Sequence, residues 1–326
     1  MNRFLKIAVI NPEKRDGLAG TILDGLLSLS KSRGNLQFFL SEKYNYVLPL
    51  DDRVLPRKDF ISFAREADLI LLIAGKKFTD YKLAKQIKKW DKTVFIDGSE
   101  VGKNRRYDFK IQKKILDGKY KGYGAINKKM LKKCKLYFRR EKPYIDGILP
   151  LPFGIESNYI KYYKSEIKKD IDFFCVFGQE EYPIMRQYCR EILVKFCRKN
   201  KFTYHTGRTK SKEEFYRLLA RSKVGVSIGG GGYDTLRFWE ILGNNCLLLT
   251  ERIDIYQPDS ARLDYKRIYQ FNNLYDFKYQ LERAASFLKR GYKQEDLNKE
   301  YQQILQNHSS VSRVLEILNV FNKLKQ

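Results

Sequence analysis

Histidine, paired cysteines and long apolar runs are scarce in this chain of 326 residues. Its only histidines are His205 and His308, and its five cysteines (Cys134, Cys175, Cys189, Cys197, Cys246) are odd in number and contain no C-x-x-C pair. A histidine-based metal centre, a zinc site and a disulfide framework are therefore not expected. No apolar run reaches the roughly 18 residues that a membrane-spanning helix needs. The opening MNRFLKIAVINPEKRDG has only a short apolar core before Asn11, Pro12 and Glu13, unlike a secretory signal. These absences predict a cytoplasmic protein, with peripheral attachment to the inner face of a membrane left open. Negative charge is also in short supply: 38 acids face 64 Lys and Arg, for a formal net charge of +26.

What is present describes a folded chain. Apolar residues make up 43% and aromatics 14%, too much for a disordered segment, and the length allows two domains. The basic excess is local. Residues 103–142 hold sixteen Lys or Arg against Asp108, Asp117 and Glu141, half of the whole excess. Such a patch attracts polyanions: an anionic acceptor, the cytoplasmic face of a membrane, or nucleic acid. A solvated face carrying background lysine has the same composition, and the charge alone does not choose.

Apolar periodicity then predicts an α/β protein. LKIAVI (5–10) reads as a strand, TILDGLLSLSKS (21–32) as a helix, DLILLIAG (68–75) as a buried strand, YKLAKQIKKW (81–90) as a helix and TVFIDG (93–98) as a strand. This alternation is that of a parallel sheet. Pro150, Pro152 and Gly154 in ILPLPFGIE interrupt regular structure and set a domain junction there. The alternation restarts with a strand at 171–178, a helix at 183–199, a strand near 202–207, a helix at 212–222, a strand at 224–229, a helix at 235–245 and a strand at 246–251. The expectation is two Rossmann-like domains facing across a cleft, over 1–150 and 151–300. A helical tail over 301–326 packs back on them. The sequence carries no signal of oligomeric state.

The most specific stretch is SKVGVSIGGGGYDTLRFWEILGNNCLLLTE, 222–251. A buried strand runs into Gly229, Gly230, Gly231 and Gly232, and a helix opens at Asp234 and Thr235, either of which can cap it. Glycines admit a ligand close to the backbone, and a helix N-terminus offers unpaired N–H groups to a phosphate. No G-K-[ST] follows, so this is not a P-loop. A plain flexible loop is the alternative. Glu240 follows on the rim of the helix, where a carboxylate accepts both hydroxyls of a ribose; an exposed helix glutamate is the other reading.

With Arg237, Phe238, Glu240, Gly243, Asn244 and the strand 247–250, this segment resembles the C-terminal domain of GT-B glycosyltransferases, especially the spore-maturation glycosyltransferase-like group. The resemblance covers roughly 137–255, and includes PLPFGIE, IDFFCVFG and FYRLLARSKVGVSI. It implies a glycosyltransferase that moves a sugar from a nucleotide-diphosphate sugar, a co-substrate rather than a cofactor, to a hydroxyl of a cell-surface glycan, glycolipid or other anionic acceptor. The donor would sit in the C-terminal domain, with Glu240 on the ribose and Arg237 and Gly230–Gly232 at the diphosphate. Many retaining members carry two glutamates separated by seven residues; here the first position is Gly232. An inverting member needs a base in the acceptor domain. Asp97 is put first, with Glu100, Glu13 and Asp16 as further candidates at strand ends. Arg208 and Lys210 would neutralise the leaving diphosphate. The D-x-D at Asp170 and Asp172 precedes its strand rather than following it, so it reads as a charge pair, and catalysis is expected to need no metal. A glucosyltransferase acting on DNA bases, or a non-catalytic polyanion-binding protein on the same scaffold, are the alternatives.

Overall fold

The computed structural model describes residues 5–324 except 15, 45–47, 76–78, 101–109, 111–112, 115–116, 118, 122–123, 180–183 and 258–259. The chain forms two units: Met1–Gly154 with Ile255–Pro258 and Ser310–Gln326, and Ile155–Asp254 with Asp259–Ser309.

The first unit runs β1 (Leu5–Ile10), α1 (Gly17–Arg33), β2 (Leu36–Leu40), α2 (Arg57–Glu66), β3 (Leu69–Ala74), α3 (Tyr81–Ile87), β4 (Thr93–Asp97), α4 (Lys128–Lys133), β5 (Leu136–Arg139) and β6 (Ile148–Pro150). All six strands pair in parallel in the order β2-β1-β3-β4-β5-β6. LILLIA of β3 is buried at every position, as an apolar run must be when both faces of a sheet are covered. Pro150 closes β6, an edge strand, where a missing N–H costs no ladder bond, and no strand or helix follows over residues 151–154.

The second unit runs β7 (Ile171–Phe174), α5 (Ile184–Asn200), β8 (Tyr204–His205), α6 (Lys212–Ala220), β9 (Ser222–Ser227), α7 (Leu236–Gly243), β10 (Leu247–Glu251), β11 (Ile268–Phe271), α8 (Leu274–Lys289) and α9 (Asn298–His308). Its parallel sheet has the order β11-β10-β9-β7-β8. Cys189, Leu193 and Cys197 of α5 and Phe277, Leu281 and Ala284 of α8 share one core with Phe173, Val224 and Leu249. The cysteines act as small apolar filling, and burial pushes the Cys197 thiol up to about 12.

The last helix, α10 (Ser310–Lys323), belongs to the first unit and lies along α1. Covered there, α1 buries eleven residues, including Asp24, whose Oδ2 accepts from Ser310 Oγ at 2.5 Å. Gly25 makes the approach possible, since a Cβ there would lie 2.3 Å from the Ser310 carbonyl oxygen.

In each sheet the strand order reverses once, between β1 and β3 and between β7 and β9. The crevice outside the carboxyl ends of the strands at such a reversal is where open α/β sheets hold ligands.

Candidate functional site

In the second unit the reversal brings together the start of α5, which follows β7, and the loop leaving β9. A Cβ at Gly225 would meet Ile241 at 2.5 Å, so α7 lies directly on β9 and aims its N-terminus at the carboxyl edge. Gly229 N donates to Glu251 Oε2 at 3.1 Å and Gly230 N to Gly232 O at 3.0 Å. Among the described residues the N–H groups of Gly231 and Gly232 take no partner. Unpaired donors on a glycine loop are suited to an anion.

Two guanidinium groups flank this loop. Arg186, in the first turn of α5, is buried; it donates to the carbonyls of Gln179 and Ile228, each at 3.0 Å, and stacks on Phe177. It lies against Gly230, where a Cβ would be 2.8 Å from Nη2. Arg237, in the first turn of α7, stacks on Phe215 at 3.9 Å and pairs with Glu240 Oε2 at 2.6 Å. Burial pushes Arg186 down to about 10, and the charge of Arg237 adds to that shift while Glu251 opposes it. Two cations that repel one another across a glycine loop leave room for a negative group.

Glu240 does not face open solvent at the rim. It is buried, and both oxygens are held within the protein, Oε1 by Tyr216 Oη at 2.9 Å and Oε2 by Arg237. Asp234 accepts from Trp239 Nε1 at 2.7 Å and ties the loop to its helix. Thr235 stands at the N-cap position, yet its hydroxyl meets Ser227 Oγ at 3.1 Å and makes no capping bond. Arg208 stands apart from these residues, after the edge strand β8. It lines a hollow of about 380 Å³ with Arg190, Lys195 and Arg198 of α5. Arg186 escaped the sequence reading. Its signal is an arginine in the first turn of a helix, where the macrodipole disfavours a cation unless an anion joins it.

In the first unit the reversal converges on Asp16. This residue caps α1 through Oδ1, which accepts from Leu18 N and Ala19 N at 3.1 and 3.3 Å, and Tyr44 Oη clamps its backbone. Gly75, after β3, and Gly98, after β4, lie against the carboxylate. Asp16 is 6% exposed and Oδ2 takes no partner among the described residues. Asp97 is differently placed. It lies opposite Arg139 in the β4–β5 register, accepts from Arg139 Nη1 at 2.6 Å, and is also bonded by Tyr137 Oη and by the Ser99 N–H and hydroxyl. Its carboxylate already accepts bonds from Arg139, Tyr137 and Ser99.

The basic run 103–142 lies in part outside the described residues (103–109, 111–112, 115–116, 118 and 122–123). Its final cations are not on the surface: Arg139 is buried against Asp97, Arg140 against Glu100 and Glu141, and Lys142 is buried as well. Lys128, Lys129, Lys132 and Lys133 on α4 are exposed. Asp170, just before β7, and Asp172, within it, pair with Arg221 and Lys223 as charge pairs. Among the described residues no cluster of His, Cys, Asp or Glu is arranged to hold a metal ion, and no helix is long and apolar enough to cross a membrane.

No family model matches the sequence, and no curated protein does so. Solved structures match over almost the whole chain. An alpha-glucosyltransferase in complex with UDP-glucose and DNA containing an abasic site aligns at TM-score 0.59 and 9% identity, over 97% of this chain and 98% of that one. A glycosyltransferase from Rickettsia africae aligns at 0.57 and 10% identity over 100% of both chains. HepE from Anabaena, in complex with UDP, aligns at 0.55 and 10% identity over 98% of this chain and 99% of that one. The fold is therefore that of GT-B glycosyltransferases, with two parallel-sheet α/β units.

Proposed function

We propose that this chain is a glycosyltransferase that takes its sugar from a nucleotide-diphosphate sugar. The observation that carries the reading is the pairing of Arg186 and Arg237 around the glycine loop with two unpaired N–H groups. That arrangement matches the leaving diphosphate, whose charge grows as the bond to the sugar breaks. Glu240, steadied by Tyr216 and Arg237, is the ribose partner. Uridine is the first choice of base, because the alpha-glucosyltransferase and HepE hold UDP-glucose and UDP. Within the GT-B fold we assign the chain to the spore-maturation glycosyltransferase-like group, on the layout of Arg237, Phe238, Glu240, Gly243 and Asn244. The positive charge at the leaving group comes from side chains and N–H donors, so no metal is required.

On the acceptor side, Asp16 replaces Asp97 as the leading proton acceptor. The hydroxyl oxygen bonds to the anomeric carbon, its proton passes to Asp16 Oδ2, and the nucleoside diphosphate leaves with the bonding pair. The acceptor is an anionic glycan or glycolipid. Modified DNA is the second reading, supported by the net charge of +26 and by the DNA held by the alpha-glucosyltransferase.

A thermal-shift series with UDP, GDP, ADP, CMP and dTDP and their common sugars tests the donor, since a ligand bound only by the folded state raises its stability. A shift with one of them is expected. No shift with any of them overturns the reading.

A further inference from the structure

Six large apolar or aromatic side chains are exposed among the described residues, and five of them, Ile184, Tyr188, Tyr275, Tyr279 and Phe287, lie on α5 and α8. These two helices cover the same face of the second sheet and pack side by side. They run in the same direction, since Lys289 at the end of α8 donates to Asn200 at the end of α5 at 3.4 Å. The exposed groups therefore share one surface.

Each helix carries apolar groups and cations along its outward stripe. On α5, Ile184 (59% exposed) and Tyr188 are one turn apart, and Lys195 and Lys199 continue the line. On α8, Tyr275 (86% exposed), Tyr279, Arg283 and Phe287 follow at four-residue steps, with Lys289 and Arg290 at the end. On α5 the apolar groups stand at the start and the cations follow, whereas on α8 aromatic side chains and cations alternate along the whole helix. The exposed acids on the pair are Glu191 and Glu282. Lys278 lies over the Tyr275 ring at 5.9 Å and Arg283 over Tyr279 at 5.9 Å, so aromatic and cation form mixed pairs.

We propose that the outward face of α5 and α8 docks on an anionic lipid bilayer. Isolated exposed apolar residues need no explanation, but their concentration on one face does. Tyrosine is the side chain suited to a membrane interface, with an apolar ring and a polar tip. Lys and Arg beside it gain from the negative surface potential of anionic lipid, and their stems lie along apolar surface. A nucleic-acid groove gains from the same cations but nothing from Ile184 or Phe287, which is why lipid is favoured over a polynucleotide. The inference does not depend on the sugar-transfer reading.

Co-sedimentation of the full chain with phosphatidylcholine vesicles, with and without about a third phosphatidylglycerol, tests it. Pelleting is expected with the anionic vesicles, weakening as salt is added. A Tyr275→Ser/Tyr279→Ser variant should lower partitioning about tenfold with an unchanged melting temperature, because both side chains are already exposed. A Lys195→Glu/Lys199→Glu variant should lower it as well and flatten the salt dependence. The proposal is overturned by failure of the natural chain to pellet, by variants that pellet as well as the natural chain, or by salt-sensitive binding to duplex DNA without vesicle binding.

Discussion

A Cβ placed on Gly75 would stand 2.3 Å from Oδ2 of Asp16, so the chain leaving β3 lies directly against the carboxylate that caps α1. Replacing that glycine tests the acceptor assignment without touching the charge. Gly75→Ala should tilt the carboxylate and lower transfer about tenfold, while Asp16→Asn should lower it by about 10²-fold or more, the usual weight of a general base. Nucleotide affinity should stay within about twofold in both. An Asp16→Asn enzyme with unchanged turnover would remove Asp16 from the reaction.

Arg186→Ala should weaken UDP binding by about tenfold to a hundredfold, the weight of a hydrogen bond to a charged group, as read by titration calorimetry. Gly230→Ala tests the same guanidinium indirectly, since its Cβ would lie 2.8 Å from Arg186 Nη2. The guanidinium must leave its carbonyl partners to make room, so affinity should fall along with some stability. Equal UDP affinity in both variants would exclude Arg186 from the donor site.

Asp97→Asn is expected to act on stability rather than on chemistry. Arg139 is wholly buried and Asp97 3% exposed in side-chain terms, and leaving one partner of a buried pair uncompensated costs about 3–5 kcal/mol. Denaturant unfolding should report that loss, with turnover per folded molecule largely kept. A stable but inactive variant would return Asp97 to the catalytic role.

Lys169 is a buried amine that donates to the carbonyls of Ser222 and Asn244 at 2.9 and 2.6 Å and to Cys246 Sγ at 3.5 Å. Burial holds its pKa below the ordinary 10.5. The unfolded chain therefore binds more protons than the folded one, and stability rises with pH between the folded value and 10.5. Burial raises the Cys246 thiol above 9.0, which works in the opposite sense once that thiol ionises in the unfolded chain. The contribution of Lys169 is thus the difference between the natural chain and Lys169→Met. Unfolding series near neutral pH and near pH 9 should show the natural chain gaining stability relative to the variant. A constant difference would mean that the amine titrates normally.

If the donor diphosphate is balanced by Arg186 and Arg237, EDTA should leave transfer unchanged within about twofold, and added Mg²⁺ should not rescue Arg186→Ala. A metal-dependent rate would overturn that account.

The sheet strands and most helices are legible in the sequence because their signals are local. LILLIA is a continuous apolar run, and α5 follows the helical period closely enough that its ends differ from expectation by one residue at each end. LQFFL of β2 and IYQF of β11 went unread because each is short and alternates with polar neighbours at a sheet edge. Within the site, the glycine loop and Glu240 stand out, since both are anchored in one segment. Arg186 and Gly75 do not, because their meaning comes from strands far apart in sequence that only the reversal of strand order brings together. Composition likewise counted Arg139 and Arg140 as surface charge, whereas the β4–β5 register turns Arg139 inward to Asp97.

The return of α10 to the first unit sets an order on how the protein is made. Synthesis completes the strands of the first sheet long before Ser310 and Val314 emerge to lie against Gly25. The nascent first unit must therefore wait, with one side of α1 uncovered, until the whole second unit and then α10 have been made. A premature stop before Ser310 would leave that side permanently bare, so a break late in the chain would damage the unit that was made first.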